Sequence, residues 1–99
     1  MKLRFVLQVR LKPGREEDFL RIYGALRDRV SAGVPGNLAH QACQSQEDPL
    51  VWMITSEWEN AETYQDWERS PEHRALTLPL RDCWDEAKRT LYHIRMEAK

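Results

Sequence analysis

Every second residue near the start of the chain is apolar. The apolar positions are Leu3, Phe5, Leu7, Val9 and Leu11, and the residues between them are polar except for Val6. Because successive side chains of an extended chain point to opposite sides, this alternation predicts a β-strand over residues 2–11 with one buried face.

A helix is predicted after the "KPG" turn that follows this strand. Its first turn carries Glu16, Glu17 and Asp18, and the helix dipole favours acidic side chains there. Gly33 is predicted just beyond its last turn, where glycine commonly ends helices. Apolar residues recur at helical spacing at Phe19, Ile22, Tyr23, Leu26 and Val30.

Two strands and two helical stretches follow. "NLAHQACQSQ" is predicted as the second strand, "EDP" as a hairpin turn, and "LVWMITSEW" as a central strand, since it is the most apolar segment. Asn60 is predicted to cap a short helix that carries Tyr64 and Trp67. Ser70 and Pro71 are predicted to start the next helix in a new direction, because proline is favoured at the first helical position.

The order of these elements defines a fold class. Pro79 is expected to interrupt the last helical stretch, which extends to Trp84 in this interpretation, and "KRTLYHIRM" is predicted as the fourth strand. Strand, helix, strand, strand, helix, strand is the α+β, ferredoxin-like split βαβ plan: a four-stranded antiparallel sheet with helices on one face. A chain of 99 residues has room for one core, so a single domain over residues 1–99 is predicted.

Composition excludes several classes of protein. Fifteen Lys and Arg residues face sixteen Asp and Glu residues, with both signs interspersed, so no basic stripe for nucleic acid is visible. Arg4, Gln8 and Arg10 interrupt the opening apolar residues, which argues against a signal peptide or a membrane span and favours a cytoplasmic protein. Cys43 and Cys83 are expected to be reduced.

No cofactor is expected from the motifs. The chain has no CxxC pair for a metal, no GxGxxG or GxxxxGK for a nucleotide, and no RNA-recognition signature on its third strand. His40, His73 and His93 fall on three different predicted elements without the spacing of metal ligands. The purified protein is therefore expected to be colourless and free of metal.

Several short motifs occur in an order that resembles a known family. "VPG" precedes a strand, "EDP" follows it, and then come an apolar strand ending in "EWEN", a helix with aromatic residues, and "SPEH". This order is similar to that of the antibiotic biosynthesis monooxygenase domain family and covers nearly the whole chain. The resemblance implies a homodimer that pairs two sheets into a dimeric α/β barrel, with a pocket between sheet and helices. It also implies oxidation of electron-rich aromatic polyketides by molecular oxygen (O2), without metal or flavin.

The resemblance assigns individual residues. Trp58 matches the family's tryptophan at the end of the third strand, and Tyr64 matches a tyrosine that lines the pocket in some of these oxygenases. Those members carry an asparagine where this chain has Ile54. Trp67 matches a tryptophan of a branch that degrades haem, but that branch's asparagine and axial histidine fall here at Leu7 and Thr77. Haem degradation is therefore the less favoured activity.

The residue types suit this chemistry. His73 or His40 could take a proton from the substrate, since imidazole titrates near neutrality. Tyr64, with Arg74 or Arg95, could hold the developing oxyanion. Trp58 and Trp67 could stack on the substrate's rings, with Ile54 beside them.

Structural interpretations of the same residues remain open. Trp52 and Trp84 are interpreted as packing residues, one helical face accounts for Tyr64 and Trp67, and His73 can be a surface residue. The fold could also bind an aromatic metabolite without turning it over, serve as an accessory subunit, or catalyse a cyclisation or isomerisation.

Glutamines lie among apolar residues such as Val6 on the second strand and the outer sheet face, which predicts a sheet-to-sheet homodimer. They are Gln8, Gln41 and Gln44.

Overall fold

The computed structural model describes residues 1–98 and contains four strands and three helices. All strand pairs are antiparallel, and the strand order in the sheet is β2-β3-β1-β4. This arrangement confirms the predicted ferredoxin-like α+β plan. The elements are β1 (Leu3–Leu11), α1 (Glu16–Ser31), β2 (Asn37–Gln44), β3 (Val51–Trp58), α2 (Ala61–Arg69), α3 (Pro71–Arg81) and β4 (Trp84–His93).

The register of the sheet decides which side chains face the helices. Leu3, Val9 and Leu11 of β1 are buried, as the alternation predicts. Leu7 lies opposite Ile54 of β3 and Arg89 of β4, and directly paired residues of a sheet point to the same face. The inner face therefore carries Arg89 beside apolar side chains such as Leu7 and Ile54.

The predicted helix ends are confirmed. The Asn60 side chain accepts a hydrogen bond from the backbone N–H of Thr63 at 2.9 Å, and the Ser70 hydroxyl accepts one from that of His73 at 3.1 Å. Gly33 has a φ of 116° just after α1. Ser70 ends α2 and caps α3, so the chain changes direction there. α3 begins at Pro71, and His73 lies in its first turn.

Gly36 of the "VPG" motif brings the start of β2 close to α2. Its φ is +82°, and a Cβ added there would lie 2.3 Å from Thr63. Its carbonyl accepts a hydrogen bond from the N–H of Glu59 at 2.8 Å. This position requires glycine because of both its backbone conformation and the close approach of Thr63.

Three predictions about details were wrong. Pro79 does not interrupt the last helix, because it lies near the end of α3, which continues to Arg81. Trp84 begins β4, which starts four residues before the predicted "KRT". Gln44 lies on the helix side, where its amide donates to the Glu16 carboxylate at 3.2 Å and to the Pro49 carbonyl at 3.0 Å.

The remaining predictions concern thiols and membranes. Cys43 and Cys83 are both free thiols. Among residues 1–98, no helix has both the length and the apolar character needed to cross a bilayer.

Candidate functional site

A cavity of about 470 Å³ lies between the inner face of the sheet and the helices. Phe5, Leu7 and Ile54 form part of its sheet wall, and Tyr64 and Trp67 of α2 face them. Its volume falls within the range of small-molecule sites, and apolar side chains dominate such sites.

One part of the cavity lining, formed by Phe5, Trp58 and Tyr64, is aromatic. Trp58 is 1% exposed, and its indole N–H donates to the Ser56 hydroxyl at 2.9 Å. The centroids of the Trp58 and Tyr64 rings are 5.7 Å apart in an edge-on contact, and Phe5 stacks on Tyr64 with centroids 5.6 Å apart. Trp58 is therefore both a core residue and a wall of the cavity.

A second aromatic contact lies at the junction of α2 and α3. The rings of Trp67 and His73 meet edge-on, with centroids 5.5 Å apart. The Arg29 guanidinium lies 5.6 Å from the Trp67 centroid, and its nitrogen is 2.6 Å from the Glu72 carboxylate. Trp67 thus contacts both a cation and an imidazole, and the rings of Trp67 and His73 both line the cavity.

Tyr64, Glu68 and Arg89 form a polar triad within the lining. The Tyr64 hydroxyl donates to the Glu68 carboxylate at 2.5 Å, and the other partner of that carboxylate is Arg89 at 3.1 Å. The Arg89 guanidinium lies 5.8 Å from the Tyr64 centroid. Burial, and then the hydrogen bond to Glu68, raise the pKa of Tyr64, so this phenol stays protonated.

Tyr23 and His40 form a second polar pair. The Tyr23 hydroxyl is 2.8 Å from Nδ1 of His40. Burial raises the pKa of Tyr23 to about 12, so its hydroxyl keeps its proton. This contact occupies Nδ1, so Nε2 is the nitrogen of His40 that remains for a ligand in the cavity.

Both histidines of the cavity are neutral at physiological pH. Burial, with a smaller contribution from His73, lowers the pKa of His40 to about 4. Burial also lowers the pKa of His73, while the nearby charge of Glu68 opposes that change. Two uncharged imidazoles therefore line the cavity, and His73 is the one with a carboxylate nearby to support its protonation.

The low pKa of His40 predicts that the protein loses stability in mild acid. In the unfolded chain His40 binds a proton near its ordinary pKa of 6.5, and in the folded chain only near 4. The free energy of unfolding is therefore unaffected by this group above pH 6.5 and decreases as the pH falls from 6.5 to 4. We expect a loss of about 2 kcal/mol between pH 7 and pH 5, out of about 3 kcal/mol for the whole change. Urea unfolding at about pH 7 and about pH 5 measures it, with His40→Gln as the comparison. An equal loss in the variant and the wild type would contradict this assignment.

Seven of the residues that the sequence singled out line this cavity. They are Trp58, Tyr64, Trp67, His73, His40, Ile54 and Arg74. Arg95 and His93, by contrast, are exposed and outside the lining, and Trp84 lines the cavity instead of being a packing residue alone. Trp52 is a packing residue, with its ring 5.1 Å from that of Phe19.

Sequence reasoning missed Glu68, Arg89 and Tyr23. Glu68 follows Tyr64 by four residues, so their shared helical face was a usable signal. Arg89 was not recognisable, because its inward direction depends on the register of β4 with β1. Tyr23 fits the apolar pattern of α1, so the sequence identifies it as a core residue and does not indicate its contact with His40.

Within residues 1–98, no group of three or more His, Cys, Asp or Glu side chains is arranged to hold a metal ion. Leu7 and Thr77, at the positions where the haem-degrading branch has its asparagine and histidine, both line the cavity. The Thr77 hydroxyl donates to the carbonyl of His73 at 2.9 Å.

The chain belongs to the antibiotic biosynthesis monooxygenase family, whose model matches residues 3–77. A 42.8 kDa protein in the whiE locus of Streptomyces coelicolor is 38% identical over 96 residues, which are 97% of this chain and 24% of that protein. Polyketide synthase CurD of Streptomyces cyaneus is 40% identical over 96 residues, 97% of this chain and 25% of that protein. This chain thus spans about a quarter of the length of these curated relatives.

The fold is also similar to that of solved structures. SnoaB, a cofactor-independent oxygenase from Streptomyces nogalater, superposes with a TM-score of 0.85 at 14% identity, covering 97% of this chain and 95% of that one. A conserved protein from Methanosarcina mazei has a TM-score of 0.86 at 20% identity, covering 93% and 91%. These likenesses support the fold.

Proposed function

We propose that this domain is a cofactor-independent monooxygenase that oxidises an electron-rich aromatic molecule of polyketide type with O2. The observation that carries the proposal is the cavity itself, in which uncharged imidazoles and guanidinium groups share the lining with aromatic side chains. The family match and the similarity to CurD and SnoaB support it.

The proposed reaction converts a ring methylene of an anthrone to a carbonyl. A base removes one methylene proton, and the resulting enolate gives its electrons to O2 as a carbon–oxygen bond forms. The O–O bond then breaks, one oxygen stays as the new carbonyl, and the other leaves as water with the two methylene hydrogens. The substrate supplies the electrons, so the protein has to supply only a base, cationic donors and a dry aromatic site.

His73 is the base in this proposal. It is neutral and lines the cavity, and the charge of Glu68 stabilises its protonated form once it has taken the proton. His40 binds the substrate, because a partner on Nδ1 fixes its ring and leaves Nε2 for the substrate's oxygen. Ile54 supplies apolar contact beneath the rings.

The enolate oxygen requires donors that are free to reach it. Tyr64 has one hydroxyl hydrogen, and it is donated to Glu68. In this proposal Tyr64 therefore positions the Glu68 carboxylate and contacts the substrate with its aromatic ring. Arg89 is the cationic donor we assign to the enolate oxygen, since it lines the cavity and a guanidinium has N–H groups beyond those that pair with Glu68. Arg74 also lines the cavity, at α3, and is assigned to substrate binding. Trp58 and Trp67 enclose the substrate's rings.

We also propose a cytoplasmic homodimer, in keeping with the free thiols. The outer face of the sheet mixes polar groups with partly exposed apolar ones such as Met53, which is 37% exposed, and Val6. A face of this composition suits contact with a second copy. Multi-angle light scattering is expected to give twice the 11.8 kDa chain mass at micromolar concentration. A particle of one chain mass would contradict the dimer.

Oxygen uptake by metal-free protein tests the proposed activity. Hydroxylated anthrones should be consumed together with one O2 per molecule. Conversion of such a substrate without oxygen uptake would indicate a cyclase or isomerase instead. Saturable binding without conversion of any substrate would indicate a binding or accessory protein.

A further inference from the structure

The lining of the cavity has an excess of positive charge. Among the described residues of the lining, Arg74, Arg81 and Arg89 contribute cations and Glu68 contributes the one carboxylate. Arg89 is paired with Glu68, and both histidines are uncharged. Arg74 and Arg81 therefore leave about two uncompensated positive charges at the α3 side of an otherwise largely apolar cavity.

These two arginines differ from most others in the chain. In the part of the chain that the structure describes, seven arginines form ion pairs with carboxylates: Arg4, Arg10, Arg15, Arg21, Arg27, Arg29 and Arg89. Within residues 1–98, neither Arg74 nor Arg81 forms an ion pair. Both are exposed enough to reach solvent while they line the cavity. Their charges are thus available to a ligand.

Helix stability does not account for Arg74. It is the fourth residue of α3, where the positive end of the helix dipole disfavours a cation. Glu72 in the same turn is paired with Arg29 and not with Arg74. Arg81 lies in the last turn of α3, where the helix dipole favours a cation. Helix stability therefore explains Arg81 but not Arg74.

The spacing of the two residues allows joint action. Seven residues correspond to nearly two helical turns, so both side chains leave the same side of α3, with Cα atoms separated by about 10 Å along the axis. Flexible arginine side chains at that distance can converge on one anion. Arginine binds a carboxylate through two parallel N–H donors, and a partly apolar surrounding strengthens that contact.

We propose that Arg74 and Arg81 form an anion subsite that holds a carboxylate attached to the aromatic substrate. The substrate class is then an aromatic carboxylic acid, with its rings toward Trp58 and Trp67 and its carboxylate at α3. This inference rests on the proposed function for the aromatic part of the site. It adds a second recognition element that orients the rings before oxidation.

Calorimetric titration with two matched probes tests this subsite. Anthracene carboxylate and anthracene carboxamide, substituted at the same ring carbon, differ only in the charge of the group. Wild-type protein is expected to bind the carboxylate about ten- to a hundredfold more tightly than the carboxamide, as for a contact between charged partners. High salt should reduce this preference.

The variant R74Q/R81Q is expected to bind the two probes equally and to retain the wild-type affinity for the carboxamide. Arg69→Gln is the matched control, because Arg69 is an exposed arginine at the end of α2 outside the cavity lining. That variant should keep the full preference for the carboxylate. The midpoint of urea unfolding is measured for every variant, to show that each one is folded under the conditions of the titration.

Two results would overturn the carboxylate subsite. They are equal binding of both probes to the wild type, or a preference that survives in R74Q/R81Q. If either occurs while an anthrone without a carboxylate still drives oxygen uptake, only the subsite is wrong. If neither probe binds the wild type, the aromatic site fails together with the subsite.

Discussion

Replacing Trp58 by alanine is expected to lower the free energy of unfolding by about 3–5 kcal/mol. Trp58 is among the largest fully buried side chains, and its removal leaves a void against Tyr64. It also removes the donor to the Ser56 hydroxyl, which is buried with it. Because small domains have a total stability of about 5–15 kcal/mol, much of the variant population should unfold under mild denaturant.

Urea unfolding measures this loss, and Trp84→Ala provides the matched control. Trp84 also lines the cavity but is only partly buried, so its removal should cost clearly less. Trp58→Phe retains an aromatic ring and is the variant suited to binding studies. A Trp58→Ala protein within about 1 kcal/mol of the wild type would contradict the core role of this side chain.

Replacing His73 by glutamine is expected to reduce kcat for oxygen consumption by about a hundred- to a thousandfold. Glutamine retains a polar side chain of similar size but cannot accept the proton. The capping contact of Ser70 is made to the backbone N–H of residue 73, so it persists in the variant. KM should change little, because the rings are held elsewhere in the cavity.

His93→Gln controls for the loss of a histidine as such. His93 is exposed at the end of β4 and lies outside the cavity lining, so its replacement should leave kcat unchanged. His40→Gln should raise KM more than it lowers kcat, since His40 is assigned to binding. Full activity in His73→Gln would remove His73 from the role of base, and an equal loss in His93→Gln would make the effect nonspecific.

The sequence predicted the fold because its signals are local. The alternation of β1, the Asn60 and Ser70 caps and the glycine after α1 each depend on neighbouring residues only. The start of β4 was missed because Trp84 was assigned to the preceding helical stretch and because Asp85 and Glu86 lack the apolar alternation of a strand. β4 is an edge strand, and charged side chains are common on edges exposed to solvent.

The site was predicted only in part, for a different reason. Trp58, Tyr64 and Trp67 lie close in sequence, so a strand end and one helical face suffice to bring them together. Glu68 and Arg89 form an ion pair although they are 21 positions apart in the sequence. Arg89 reaches Glu68 because of the register of β4 with β1, and a local sequence pattern does not reveal that register. Burial also lowers the pKa of His40 below the near-neutral value of an ordinary imidazole. Burial depends on the tertiary structure, so the sequence does not show this change.

The origin of the oxygen in the product tests the central claim most directly. Metal-free protein would be incubated with a hydroxylated anthrone carboxylic acid under isotopically labelled oxygen gas, and the product examined by mass spectrometry. The proposed mechanism predicts one labelled oxygen atom in the new carbonyl and one in water, at a rate that falls in His73→Gln. Product carrying no label, or formed equally fast without the protein, would contradict the assignment of a monooxygenase.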